Sequence, residues 1–514
     1  MTHASPDDFI LHGPAATAFT SQRLGKLTPV FVPEGEPAPF TRLDTFDQTL
    51  RRSGRLLLDL GTALDLIRPD SSAMTQATHG RTKFVPDIAE GPVKQALSDL
   101  SPLRSLLPCG TGKLSRAGLA FEDDDHKVHC RAALQILTGA EGQTVILVML
   151  HPLRGYARAQ ADLRHALATN GMAFDMDALH GLLFPASPAP APKPKLALTA
   201  DQTAHDAATA IIALQIPVAR LSEPGIVADH DTEFLHDYRV ALRRIRSVLS
   251  LFRGVYPPDQ TATLKARFSA LMAQTGMLRD LDVHLLEKPS YYDLLPEIQH
   301  PGLDTMFALR AADRAKALAR LSRHLRSKAH GQEMTELARL FATPQALPPG
   351  PKADTPAYPY ACALIWKRYR KIRQIAANLG PATPDTDVHT LRIHCKKLRY
   401  LMEFFAGLFP PASVKSLLKP LKALQDNLGL VNDLSVQQVS LQSFLQGSGA
   451  WPDSTKLQVA QTVGALTTVL HQRKLDERRK TMDALSGFIS PETQKTFREV
   501  FHPSKPGPPR KPNP

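Results

Sequence analysis

The stretch Leu235-His-Asp-Tyr-Arg-Val-Ala-Leu-Arg-Arg-Ile-Arg-Ser-Val-Leu-Ser-Leu-Phe252 returns 153 residues later as Val388-His-Thr-Leu-Arg-Ile-His-Cys-Lys-Lys-Leu-Arg-Tyr-Leu-Met-Glu-Phe-Phe405. A second pair keeps the same offset without a gap, Gly276-Met-Leu-Arg-Asp-Leu-Asp-Val283 and Gly429-Leu-Val-Asn-Asp-Leu-Ser-Val436. Two separated motifs with one spacing define an internal duplication. A copy of about 150 residues is long enough for a four-helix bundle.

Placed on a helix at about 100° per residue, each copy divides into two faces. In the first, His236, Arg239, Arg243 and Arg246 form a polar column, while Leu235, Tyr238, Leu242, Ile245, Leu249 and Phe252 lie opposite. In the second, the column is His389, Arg392, Lys396 and Arg399, and the apolar side is Leu391, Cys395, Leu398, Met402 and Phe405. The pattern predicts one buried stripe per helix and one cationic column about 15 Å tall.

Like charges at these spacings repel by a few tenths of a kcal/mol per pair. Inside the motifs only Asp237 and Glu403 are available to offset them. A solvated basic face would be ordinary on one helix; repulsion kept in both copies argues for a multivalent anion that relieves it. His236 and His389 stand in line with the cations, placed to donate to a phosphate oxygen or to orient the adjacent Arg. Neither has a carboxylate or thiolate at ligand spacing, so no metal site is expected. Asp280 and Asp433 read as helix caps or partners of a buried Arg rather than as a catalytic pair.

The surroundings agree with this division. Residues 302–343 and 453–490 contain no proline, and prolines cluster in the gaps at 256–258, 344–359, 381–384, 410–411 and 452, which predicts an all-helical part. Earlier in the chain, Arg55-Leu-Leu-Leu-Asp-Leu60, Leu64-Asp-Leu-Ile67, Gly118-Leu-Ala-Phe121 and Thr144-Val-Ile-Leu-Val-Met-Leu150 read as strands of a mixed or antiparallel sheet, with helices near 92–101 and 156–170. The expected organisation is an α+β domain over 1–184 and a Pro/Ala/Lys linker over 185–199. An all-α domain of two duplicated four-helix bundles follows over 200–500, with repeats near 200–346 and 353–500, and then a disordered Pro-rich tail over 501–514.

Of 514 residues, 43% are hydrophobic and 22% charged, a globular composition. Residues 1–200 carry 20 basic and 20 acidic side chains, whereas 201–514 carry 42 and 29, so the whole net charge of +13 sits in the helical part. That asymmetry suits a polyanionic partner. Cys109, Cys130, Cys362 and Cys395 lie far apart with no CxxC, which argues against zinc and against a disulfide scaffold and fits a reducing compartment. With no run of about 18 apolar residues and no basic region before an apolar core at the N-terminus, neither a membrane span nor a secretory signal is expected.

The doubled motif, His-x-x-Arg-Val-x-x-Arg-Arg-x-Arg with Arg-Asp-Leu-Asp-Val, then His389-Thr-Leu-Arg-Ile-His-Cys-Lys-Lys-Leu-Arg-Tyr400, resembles the CHAD domain, the histidine-containing α-helical domain. The resemblance spans roughly residues 200–500. It implies two four-helix bundles related by a pseudo-twofold, basic helices lining a central groove or pore, and binding of inorganic polyphosphate in the cytoplasm, at polyphosphate granules, without catalysis. Carried over by position, the binders are His236, Arg239, Arg243, Arg244, Arg246, His389, Arg392, Lys396, Lys397 and Arg399. Arg279 is a further candidate, although its counterpart is Asn432; Arg320 and Arg473, in register, are secondary ones. Rows of Lys and forked Arg suit a flexible chain with one charge per phosphate, and no cofactor is implied.

The first part resembles the CYTH domain, the triphosphate tunnel fold, through Leu43-Asp-Thr-Phe-Asp-Gln-Thr-Leu-Arg-Arg-Ser-Gly-Arg-Leu-Leu57 and Leu153-Arg-Gly-Tyr156. The opening Glu-x-Glu-x-Lys strand of that family is missing. Glu34-Gly-Glu36, flanked by Pro33 and Pro37, reads as a loop, so a degenerate, non-catalytic domain is expected. Two other readings stay open. One is a CYTH-type triphosphatase that uses the helical part to present substrate. The other is a nucleic-acid binder, which would place aromatics or Asn/Gln among the cations; Tyr238 falls on the core side, and Tyr400 is the one exception.

Overall fold

Apolar side chains alternate along the strands of the N-terminal unit and line both faces of its sheet. The computed structural model describes residues 8–78, 80, 82–186, 196–343, 346–380, 383–447 and 451–502. The expected linker lies largely, and the expected tail almost wholly, outside the described residues. The chain forms two compact units, Met1–Lys193 and Pro194–Pro514.

In chain order the first unit contains β1 (Asp8–His12), α1 (Gly13–Phe19), β2 (Thr28–Pro33), β3 (Ala38–Asp44), α2 (Thr49–Arg52), β4 (Leu56–Asp59), β5 (Ala63–Ile67) and β6 (Ala73–Ala77). It continues with α3 (Pro92–Ala96), β7 (Leu107–Glu122), β8 (Val128–Gly139), β9 (Thr144–His151), α4 (Ala157–Asn170), β10 (Met172–Ala173) and α5 (Met176–Leu183). The sheet is antiparallel throughout, in the order β10-β1-β9-β8-β7-β3-β4-β5-β6, with β2 added to β7. The helix expected near 92–101 stops at Ala96.

Side chains link strands that are not neighbours. Ser71, in the β5–β6 turn, donates to Asp8 of β1, and Arg116 of β7 pairs with Asp65 of β5. The sheet therefore curls. Its concave face is packed with Ile10, Phe40, Leu58, Leu114, Leu137 and Leu147, closed off by Leu179 and Leu183 of α5. Among the described residues no pairing joins β6 to β10. Glu34 and Glu36 lie exposed after β2, outside any strand.

The second unit is helical: α6 (Ala204–Val227), α7 (Thr232–Leu251), α8 (Pro258–Ala273), α9 (Gly276–Leu286), α10 (Lys288–Leu294), α11 (His300–Leu325) and α12 (Lys328–Ala342) make one half. The other is α13 (Ala357–Ala376), α14 (Asp385–Phe404), α15 (Pro411–Gln446), α16 (Asp453–Phe488) and α17 (Pro491–Phe501). The duplication holds at the level of helix starts. Ala204 and Ala357, Thr232 and Asp385, Pro258 and Pro411, and His300 and Asp453 all keep the spacing of 153 residues. One 36-residue helix, α15, stands where the first half uses α8, α9 and most of α10, interrupted at Thr275 and Glu287.

Equivalent residues of the halves meet each other, which defines a local pseudo-dyad. Thr203 and Pro356 form an isolated antiparallel bridge. Phe252 and Phe405 stack with ring centroids 4.9 Å apart. Across the α11–α16 crossing, Leu303, Met306 and Phe307 share a core with Val459, Val463 and Leu466. One helix, α6, is long and apolar enough to cross a membrane by length and composition alone, against the sequence expectation. Its Thr, Gln and Pro residues interrupt any unbroken apolar run. Here it packs on α7, where a Cβ on Gly225 would lie 2.2 Å from the Phe234 ring.

Candidate functional site: two basic columns about the pseudo-dyad

The columns stand on α7 and α14, whose opposite faces are anchored in the core. Leu235, Tyr238, Leu242 and Ile245 are buried on α7, as are Leu391, Cys395, Leu398 and Met402 on α14, as the helical period requires. Asp231 caps α7, its carboxylate accepting from the backbone N–H groups of Glu233 and Phe234.

Lys396 is the centre of the arrangement. Burial, then the charges of Arg392, Arg243 and Arg399, hold its ammonium down to about 8, while Asp433 works in the opposite direction. Arg243 is the dyad counterpart of Lys396, so the two columns bring their middle cations together. Arg243 Nε and Arg279 Nη1 are buried without a hydrogen-bond partner among the described residues, as is Arg244 Nε. Buried donors of this kind cost free energy until an acceptor arrives.

The acids near the columns follow the duplication. Arg392 lies 3.6 Å from Asp433, and at the equivalent place Asp280 and Arg239 interact electrostatically. Asp280 and Asp433 thus act as Arg partners; neither is a cap. Burial lowers the pKa of Arg239, whose Nη1 donates to Thr275 Oγ1 at 2.6 Å. Arg279 and Asn432 are equivalent but differ in role: Asn432 Oδ1 stands 2.9 Å from His389 Nδ1. Asp385, His389, Arg392, Leu428, Asn432 and Ser435 line a cleft of about 470 Å³.

The remaining candidates divide. Glu403 bridges the halves, 3.8 Å from Arg244 and 3.3 Å from Arg399 Nε, and Arg244 also lies over the Phe404 ring. Arg246 is exposed, and His236 and Arg239 are half-buried. Lys397 does not join the columns; its electrostatic neighbours are Arg368, Arg253 and Lys265. Arg320 on α11 and Arg473 on α16 are exposed, with no ion pair among the described residues tying them to the site. No group of three His, Cys, Asp or Glu side chains that could hold a metal occurs among the described residues.

Sequence reasoning missed two ion-pair clusters. Arg314 of α11 holds Asp229 through both terminal nitrogens at 2.9 and 2.7 Å and Asp282 through Nε at 2.7 Å. Lys474 and Arg478 of α16 both reach Asp385 at 2.9 Å. Both join residues distant in the chain, and nothing local marks them.

Residues 210–442 match the family model of the CHAD domain. The helical unit carries a CHAD domain. The chain is 28% identical to the crystal structure of the CHAD domain from the plant Ricinus communis, a match over 55% of this chain and 97% of that one, with a TM-score of 0.44. PptA from Streptomyces chartreusis matches at 15% identity over 56% of this chain and 99% of its own, also with a TM-score of 0.44. A search of curated proteins finds no match. The CHAD match contains both columns and leaves the N-terminal sheet outside it.

Proposed function

We propose that the CHAD domain of this chain binds inorganic polyphosphate along the two columns, in a basic groove made by His236, Arg239, Arg243, Arg246 and Arg279 on one side and His389, Arg392, Lys396 and Arg399 on the other. The observation that carries the reading is the crowding of Arg243, Arg392 and Arg399 around the half-buried Lys396. A fold keeps such repulsion where a polyanion offsets it. Arg244, Lys397, Arg320 and Arg473 are peripheral in this reading. The N-terminal unit is a degenerate CYTH-like domain without catalysis: its concave face is filled mainly by apolar side chains, and its cations Arg42 and Arg116 are engaged by Cys109, the Phe184 ring and Asp65. The protein acts in the cytoplasm, at polyphosphate granules.

Tyr238 and Tyr400 are 1% and 7% exposed, so neither presents a ring for base stacking, and this favours a phosphate chain over nucleic acid. Filter binding of long-chain polyphosphate tests the proposal. Binding is expected to weaken steeply with salt and to vanish in the Arg239→Glu/Arg392→Glu variant at unchanged helix content. Retention of binding by that variant, or preference for DNA or RNA of equal charge, overturns it. Phosphate release from tripolyphosphate with Mg²⁺ or Mn²⁺ would establish the triphosphatase alternative instead.

A further inference from the structure

Helix α13 breaks the symmetry of the domain. Its stretch Lys367-Arg-Tyr-Arg-Lys371 has at the dyad position Leu214-Gln-Ile-Pro-Val218, with no charge at all. No Asp or Glu occurs anywhere in Ala357–Ala376. Arg253, Trp366, Lys367, Arg368, Arg370 and Lys371 line a cleft of about 610 Å³ between α13 and the ends of α7 and α14. Lys397 and Lys265 add their charges from α14 and α8. None of these seven cations makes an ion pair among the described residues. That separates them from the other cationic clusters of the domain, where Asp280, Asp433, Glu403, Asp282 or Asp385 stands against the cations.

The cleft is also built rather than merely charged. Arg368 Nη1 lies 3.0 Å from His394 Nδ1, so the guanidinium donates and the ring accepts. His394 is thereby held neutral, with burial and the charges of Arg368, Lys397 and Lys371 bringing its pKa down to about 4. A neutral ring that accepts at Nδ1 carries its proton on Nε2. Lys396 and Lys397 are successive residues about 100° apart on α14, one turned to the columns and the other to this cleft. A flexible chain leaving the columns can pass around α14 from one to the other.

We infer that the α13 face, with Arg253, Lys265 and Lys397, is a second polyanion site that takes the continuation of a phosphate chain seated on the columns. This rests on the polyphosphate reading above. The test compares wild type with the exposed triple variant Lys367→Gln/Arg370→Gln/Lys371→Gln, using long-chain polyphosphate across a salt series, with thermal melts to verify folding. The expected result is at least a tenfold loss of affinity and a plot of log K against log[salt] shallower by about 2, near the 0.7–0.9 per lost contact found for nucleic acids. A charge-preserving variant, Lys367→Arg/Arg370→Lys/Lys371→Arg, restores both. Wild-type affinity and slope in the triple variant, with binding still abolished by Arg239→Glu/Arg392→Glu, overturns this inference and leaves the columns standing. Absence of polyphosphate binding by wild type removes both. Loss of single-stranded DNA or anionic-vesicle binding in the triple variant without loss of polyphosphate binding also overturns it.

Discussion

Phe252 and Phe405, equivalent residues of the two repeats, stack on one another at 4.9 Å with their planes 9° apart. Both are buried, at 3% and 0% exposure, and Phe404 and Tyr360 pack edge-on against Phe252. They close the motif helices at the end away from His236 and His389. The pair therefore fixes the separation of α7 and α14, on which the columns stand.

Truncating this contact should loosen the dyad. Phe405→Ala is expected to lower stability by about 3–5 kcal/mol, and Phe405→Leu by roughly a third of that, in urea unfolding. Equal stability of wild type and Phe405→Ala would show that the stack does not hold the halves together.

At the other crossing, a Cβ on Gly302 of α11 would lie 2.0 Å from Thr462 Oγ1 and 3.0 Å from a backbone carbonyl of α16. Gly302→Ala should cost about 1–3 kcal/mol through overpacking. Gly331→Ala in α12, where the new methyl meets nothing within 4 Å, should instead gain about 0.5–1 kcal/mol from helix propensity. Denaturation midpoints of the two variants must move in opposite directions.

The ammonium of Lys396 gives a pH signature. A bound polyanion favours its protonated form, so affinity should fall as pH rises through about 8, and binding near that pH should take up a proton. Calorimetry in buffers of different ionisation enthalpy measures this uptake, and Lys396→Arg should remove it. In the free protein the sign is reversed: the unfolded lysine still binds a proton above pH 8 when the folded one does not, so stability rises there. Lys396→Met should accordingly stabilise the free fold at pH 7 by on the order of 1–3 kcal/mol while weakening binding.

Arg314 is expected to be structural. Its removal leaves Asp282, with a side chain 1% exposed, without its cation. Arg314→Met should cost about 3–5 kcal/mol, and the added Asp282→Asn change should recover part of it. Polyphosphate affinity, measured below the melting range, should stay within a factor of two.

The columns could be read from the chain because a helix repeats every 3.6 residues and because the motif is written twice; a wheel suffices to put Arg239, Arg243, Arg392 and Lys396 on one face. It could not say what packs beside that face. Arg244 and Lys397 share a wheel position, yet one meets Glu403 and Phe404 and the other meets Arg368 and Arg253. The Arg314 and Asp385 clusters join positions far apart in sequence, which depend on tertiary packing and carry no periodic signal. The basic run on α13 was visible, and laying it over Leu214–Val218 at the offset of 153 would have exposed its asymmetry. In the N-terminal unit, short apolar runs identified strands but not the curl that buries Leu58 and Leu147 inside the sheet.

A site built about a twofold looks the same when approached from either end. DNA, RNA and peptides have a head and a tail, and reversing one presents different atoms to each half of such a site. A linear phosphate polymer has two identical termini, so turning it round changes nothing. With Arg243 facing Lys396 and Arg239 matched by Arg392, a filament could enter in either sense and slide by one unit at a time without losing register. The differences between the halves, Arg279 against Asn432, Ser250 against Glu403 and Leu214–Val218 against Lys367–Lys371, are what distinguish one end of the site from the other.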